Sequence, residues 1–248
     1  MRIVKTILAA GLLVAVTLGG HAQSGPVAQF DKVIVSPYIQ VTFVQGDKEG
    51  VRINDMIVDS SKLHVEVDNG TLWLYLDGAK EVPQNQHRRN ENGDWQSRHP
   101  YPDHAVTATV TYKTLNSLSL RGDESHVCQS PLTVKDFALR VYGDAKIAFT
   151  EVHFGEMHTT MYGEGSLDIK AGSVDEQYYL CYGEGKVNTT AITGHESKIT
   201  AYGEAQLNLN VSDRIKITAF GEAHVRYMGS PSIVKWLHFG ELDLKKID

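Results

Sequence analysis

Along most of this chain apolar and polar residues alternate in short runs. Leu118 and Leu120, Leu139 and Val141, Ile199 and Ala201, and Ile217 and Ala219 each flank a polar or aromatic neighbour. This is the period of two that a strand with one buried face requires. The same spacing returns a few residues later in Ile147 and Phe149, Leu167 and Ile169, Leu207 and Leu209, and Val225 and Tyr227. Beyond the first residues, no window of about 11 residues sustains the i, i+3, i+4, i+7 pattern of an amphipathic helix. Thr, Val, Ile and Tyr crowd the alternating segments instead, as suits a pleated surface. The pattern predicts an all-β protein.

Between each pair of runs stands a recurring tripeptide. It reads Arg121-Gly122-Asp123, Tyr142-Gly143-Asp144, Tyr162-Gly163-Glu164, Tyr182-Gly183-Glu184, Tyr202-Gly203-Glu204, Phe220-Gly221-Glu222 and Phe239-Gly240-Glu241. The glycines are 21, 20, 20, 20, 18 and 19 residues apart. A period near 20 accommodates two or three short strands with tight corners, which is one coil of a single-stranded β-helix, or β-solenoid. Glycine suits a sharp corner because it adopts positive φ cheaply, and Gly165 and Gly185 extend that freedom to the second half of the turn. Stacked coils would align the alternating apolar residues into inward columns. An extra copy, Phe154-Gly155-Glu156, is out of register, so not every such tripeptide sits on one edge.

The preceding part is also β but less regular. Residues 32–44, 50–58, 62–67, 71–76 and 105–112 read as strands, and Asp68-Asn69-Gly70 between two of them signals a type I′ hairpin. Residues 78–104 are polar and contain Pro83, Pro100 and Pro102, which predicts a long projecting loop. Arg2 and Lys5 precede an apolar run from Ile7 to Leu18 and the small residues Gly19, Gly20 and Ala22, the layout of a signal peptide. The predicted organisation is therefore a signal peptide at 1–22, an N-terminal β region at 23–116, and solenoid repeats at 117–248 continuous with it. The apolar run is shorter than the roughly 20 residues a spanning helix needs, and no later run is longer, which predicts a soluble exported chain without a membrane span. No Cys follows it to carry a lipid.

A formal charge of −6, with no basic cluster beyond Arg88-Arg89, argues against nucleic acid and against an anionic membrane surface. Cys128 and Cys181 stand about three coils apart. At about 4.8 Å per coil they exceed the roughly 7 Å Cα limit for a disulfide, so both are expected as buried thiols.

Two columns flank the glycines. The aromatic one, Tyr142, Tyr162, Tyr182, Tyr202, Phe220 and Phe239, faces outward if alternation holds and inward if the corner reverses the parity. Outward, it is a ladder suited to sugars or protein partners; inward, it stacks in the core or against a neighbouring protomer. The acidic column is Asp123, Asp144, Glu164, Glu184, Glu204, Glu222 and Glu241. Carboxylates one coil apart repel by about 0.9 kcal/mol per pair even at the dielectric constant of water. Cations such as Ca²⁺ between Asp144, Glu164, Glu184, Glu204 and Glu222, hydrogen bonds from corner N–H groups, glycan hydroxyls, or simple splaying into solvent each relieve this. An acid in every coil has the look of architecture rather than of the paired acids of a polysaccharide-cleaving β-helix enzyme. No Ser/His/Asp spacing, His-Glu-x-x-His or phosphate loop occurs. His87, His99 and His104 share the long loop without the fixed spacing of a metal site. Arg121-Gly122-Asp123 occupies an ordinary repeat position and is read as such.

Four segments resemble a known family. They are Phe30-x-x-Val33-x-Val35, Val41-Thr42-Phe43-Val44-Gln45-Gly46, Asp68-Asn69-Gly70-Thr71-Leu72-x-Leu74, and Leu115-x-x-Leu118-x-Leu120-x-Gly122. Together they are similar to the auto-transporter adhesins carrying the head GIN domain, found among secreted proteins of Bacteroidetes, over nearly the whole mature chain. That family's turns look like Ser-Gly-Ser-Gly, whereas here they read Tyr-Gly-Glu-Gly or Tyr-Gly-Glu-Ala. The resemblance implies adhesion and brings no catalytic residues. The expectation is an exported, non-enzymatic binding or adhesion protein of the periplasm or cell surface, recognising a glycan or an envelope protein. Alternatives are a polysaccharide-active β-helix enzyme and a cation-binding structural protein. The last coil, ending Leu242-Asp243-Leu244-Lys245-Lys246, is expected either to cap the solenoid with its charges or to form a homo-oligomer.

Overall fold

The structure, a computed structural model, describes residues 24–81, 86–89, 95–98 and 100–248. The predicted signal peptide lies outside the described residues. Among the described residues the chain is β throughout apart from one 3-10 turn at Ser60–Lys62, and it winds into a solenoid of about six turns with coils about 20 residues apart. The all-β solenoid expected from the repeat is the fold observed.

Each coil contributes a long strand, a corner and a short strand. The long strands Leu132–Gly143, Val152–Gly163 and Gly172–Gly183 pair in parallel, residue on residue, with Tyr142 opposite Tyr162 and Tyr162 opposite Tyr182. The short strands Lys146–Phe149, Ser166–Ile169 and Lys186–Thr189 do the same on the other wall. In the next two coils both strands fuse across the corner into Glu196–Asn210 and Arg214–Met228. The inward columns close a dry core: Leu74, Val35, Leu120, Val141, Met161, Cys181, Ala201 and Ala219 are in register and buried. Cys128 and Cys181 are free and buried, as the spacing requires, and burial pushes the Cys181 thiol up to about 12.

The long strand bends where the ladder skips Lys135, Gly155 and Asp175. Before the skip Val152 and Phe154 are buried, and after it Met157, Thr159 and Met161 are, so one extra residue has switched the parity. That accounts for the out-of-register Phe154-Gly155-Glu156. Its Gly155 sits inside a strand, where a Cβ would lie 2.9 Å from the Lys135 carbonyl oxygen.

The N-terminal region builds a coil of its own kind under the repeats. Lys32–Val35 pairs in parallel with Ser117–Gly122, and Ile39–Gln45 with Ser125–Cys128. Residues 32–44, expected as one strand, are therefore two, because the chain turns a corner at Ser36-Pro37-Tyr38, with Tyr38 at φ 70°. Antiparallel pairs end both walls there: the hairpin of Leu63–Asp68 on Thr71–Leu76, and Gly50–Met56 between Val106–Tyr112 and Ser24–Pro26. The Asp68-Asn69-Gly70 turn has the positive φ values of type I′ at Asn69 (47°) and Gly70 (73°). The expected long loop at 78–104 is not wholly irregular, since Gln86–Arg89 and Trp95–Arg98 pair as an antiparallel hairpin apart from the main sheet. Of its histidines, the side chains of His87 and His99 lie outside the described residues and His104 is exposed.

Candidate functional site

The corner of each coil is built on the glycine. Gly143, Gly163, Gly183, Gly203 and Gly221 have φ between 81° and 125°. A Cβ on Gly163, Gly183, Gly203 or Gly221 would come within 2.6–2.8 Å of the carbonyl oxygen of the glycine one coil below. Positive φ and a close approach thus both demand the missing side chain. Gly165 and Gly185, expected to share that role, do not have positive φ, and their counterparts elsewhere are Ala145, Ala205 and Ala223. Next to the glycine, the acidic residue's N–H donates to a lower glycine's carbonyl, as from Asp144 to Gly122 at 3.0 Å and from Glu184 to Gly163 at 2.9 Å.

This corner keeps the strand's alternation, so the residue before the glycine points out. The aromatic column stands on the surface as one continuous stack. Successive ring centroids from Tyr142 through Tyr162, Tyr182, Tyr202 and Phe220 are 5.2, 4.9, 5.0 and 5.1 Å apart, with planes within 7° of parallel. Phe239 closes the series at 5.7 Å and 21°. Tyr162, Tyr182 and Tyr202 are 41, 37 and 40% exposed and Phe239 63%. At the other end the Arg121 guanidinium lies 5.6 Å from the Tyr142 ring. Stacked in this way, the inner rings show each other their faces and show solvent their edges and hydroxyls.

On the corner side of the ladder runs the acidic column: Asp123, Asp144, Glu164, Glu184, Glu204, Glu222 and Glu241 are all exposed. Among the described residues none of them makes an ion pair, and no three His, Cys, Asp or Glu converge on a point suited to a metal ion. On the other side lies the column Arg140, Thr160, Leu180, Thr200 and Thr218, ending in Leu237. Beyond it His158 stacks on Tyr178 at 4.4 Å. A hydrogen bond to Glu176, aided by partial burial, pushes the Tyr178 hydroxyl up to about 12.

The last coil adds residues that alternation alone did not reveal. The register slips between Ile217 and Thr218, leaving Trp236 as the extra residue. Trp236 is 68% exposed, with the Lys216 ammonium 4.2 Å from its ring, and Val234 and Leu237 are exposed beside it. The signal was present in Ile233-Val234-Lys235-Trp236-Leu237, where an apolar run breaks the period of two. Also unforeseen is the polar pair Glu124 and His126, buried at inward positions that the next coil fills with Ala145 and Ile147. Glu124 accepts from the N–H groups of Tyr38 (2.8 Å) and Asp123 (3.1 Å), and burial raises its carboxyl above the usual range. His126 Nδ1 accepts from Val41 N–H at 3.3 Å, and burial drives the ring down to about 3.

The family described as "Putative auto-transporter adhesin, head GIN domain" matches residues 29–231. Among solved structures, a putative adhesin from Bacteroides fragilis NCTC 9343 aligns with a TM-score of 0.73 at 18% identity, covering 92% of this chain and 96% of that one. A putative adhesin from Parabacteroides distasonis ATCC 8503 aligns at 0.65 and 16% identity over the same shares. A putative lipid binding protein from that organism aligns at 0.63 and 17%, again over 92% and 96%. At these identities the likeness establishes the fold. A search of curated proteins found no match. With the sequence match and the fold in agreement over most of its length, the chain belongs to the family of auto-transporter adhesins with a head GIN domain.

Proposed function

We propose that the protein is an exported binding module, adhesive rather than catalytic, whose contact surface is the outer face of the long-strand wall. One observation carries this reading. Of the eight large apolar side chains exposed among the described residues, seven are on that face: Tyr162, Tyr182, Tyr202, Val234, Trp236, Leu237 and Phe239. Scattered apolar residues need no explanation, but a contiguous stripe of this size marks an interaction surface, and tyrosine and tryptophan are the residues enriched in protein interfaces. Family membership supports adhesion and a place outside the cytoplasm. The geometry of the rings bears on the partner. A sugar stacks on an open ring face, and here the faces of the inner rings meet their neighbours, so edges and hydroxyls favour a protein partner over a glycan.

The test uses beads carrying residues 23–248, scored for retention on intact and on protease-shaved bacterial cells, beside a glycan array. Changing Tyr162, Tyr182 and Tyr202 together to Ala is expected to cut retention tenfold or more while cooperative unfolding persists. A control on the opposite wall, Lys186→Ala with Gln206→Ala, retains it, and shaving the cells abolishes it. Equal retention by the tyrosine variant would sink the assignment of the face. A glycan hit that the variant loses keeps the face and changes the partner class.

A further inference from the structure

The geometry points to a partner segment of stated chemistry: a cationic polyproline II stretch lying parallel to the solenoid axis on the ladder. The inference rests on the reading of this wall as the contact surface and adds what touches it.

Charge complementarity is the first argument. The seven corner carboxylates lack ion pairs among the described residues and stand in one row; single exposed acids such as Asp136 and Asp175 are also unmatched, while others have partners. Glu196 meets Arg214 at 2.7 Å, Asp243 meets Arg226 at 2.7 Å, Glu66 meets Lys80 at 3.4 Å, and Asp168 meets Lys170. A row of unmatched like charges about 4.8 Å apart is under repulsion, which a polycation laid along it relieves. The chain itself provides a precedent. In the first repeat Arg121 takes the aromatic place, with its guanidinium over Tyr142 and Asp123 two residues on. At the far end Phe239 offers a ring that no further coil covers, with Glu241 two residues on.

Pitch is the second argument. Polyproline II turns once in three residues and rises about 3.1 Å per residue, so one face recurs every 9.3 Å or so. Two coils advance about 9.6 Å. Basic side chains at every third position therefore fall beside every second carboxylate, such as Asp144, Glu184 and Glu222. An extended strand repeats its face at about 6.7 Å and drifts out of register at once. Between the ladder and the His158–Tyr178 stack, which Lys198 and Lys216 continue, runs the column Arg140, Thr160, Leu180, Thr200 and Thr218, and proline rings dock well against aromatic surfaces such as the ladder beside it. From Tyr142 to Phe239 the ladder spans five steps, roughly 24 Å, enough for about eight residues of such a helix.

Fluorescence anisotropy on residues 23–248 with labelled peptides tests this. The probes are four repeats of Pro-Pro-Arg, four of Pro-Pro-Glu, and four of Gly-Ser-Arg, which has the same charge on a flexible chain. Pro-Pro-Arg is expected to bind at least tenfold tighter than Gly-Ser-Arg, to weaken steeply with salt, and to lose tenfold or more when Glu164, Glu184 and Glu204 are changed to Gln. Glu156→Gln, on another column of the same wall, leaves it unchanged, and Pro-Pro-Glu does not bind. Equal binding of the two arginine peptides reduces the effect to bulk charge and overturns the proposal, as does indifference to the glutamine changes or absence of Pro-Pro-Arg binding. If the peptide fails while bead retention still depends on the tyrosines, the contact face stands and only the partner chemistry falls; if retention is indifferent too, both fall.

Discussion

At the scale of single residues, two buried side chains that respond to pH stand where the repeat pattern places hydrophobes. His126 is buried and titrates at about 3 instead of 6.5, because burial disfavours its charged form. In that window the unfolded chain binds the proton more readily than the folded one. Its contribution is therefore intact above pH 6.5 and is lost as pH falls toward 3, by an amount on the order of 5 kcal/mol at the acid end. Glu124 acts in the opposite sense, since a raised carboxyl takes up its proton earlier in the folded state and gains stability as the solution is acidified. His126→Gln, which keeps an acceptor for the Val41 N–H, should flatten the fall of the melting temperature between pH 6.5 and 4.5. Glu124→Gln should steepen it. Parallel melting curves for all three proteins would remove His126 from the account. Nothing in the alternation announced this pair. Position fixes that residues 124 and 126 point inward, and only their packing against Tyr38, Val41 and the corner N–H groups explains why they are polar.

At the scale of the coil, the sequence was legible wherever one residue type answers one geometric demand. The glycine column met two demands at once and repeated seven times, so the corner could be placed to the residue. The outward aromatic column followed once the corner proved to preserve parity, a point periodicity left open because an unpaired residue inside a strand reverses it, as happens at Gly155. The second glycine of the turn was over-read. Gly183 and Gly185 now separate the two cases. Gly183→Ala forces a Cβ to 2.7 Å from the Gly163 oxygen at φ 112° and should cost about 2 kcal/mol or more. Gly185→Ala fits a backbone without positive φ, its nearest neighbour being the flexible Met161 Sδ at 3.3 Å. It should be neutral or stabilise by up to about 1 kcal/mol through the unfolded chain. Denaturant midpoints at unchanged slope decide between them, and a loss at Gly185 comparable to that at Gly183 would mean that crowding rather than backbone conformation rules this corner.

For the molecule as a whole, a solenoid is a one-dimensional stack whose interior needs nothing beyond the next coil, so its character is decided at the ends. The first end is closed by antiparallel pairs, which stop parallel addition. The last is an open edge formed by Ser232–Phe239 and Leu242–Lys246. That edge carries three features that discourage another strand from adding. Lys235 stands in register with the buried Ile217 of the coil below, yet is exposed; a bulge displaces Trp236; and His238 stands over Ala219 where a hydrophobe would continue the core. To the late charges expected here from Lys245 and Lys246, the structure adds features a strand earlier, at positions whose inward register only the paired coils reveal. If those features keep the edge free, repairing them should make it adhesive to itself. Replacing Lys235 by Val and deleting Trp236 removes two of the three features. Sedimentation of that variant should show a mass that climbs with protein concentration more steeply than for the parent chain, and the same dependence in both would assign control of the edge to something other than Lys235 and the bulge.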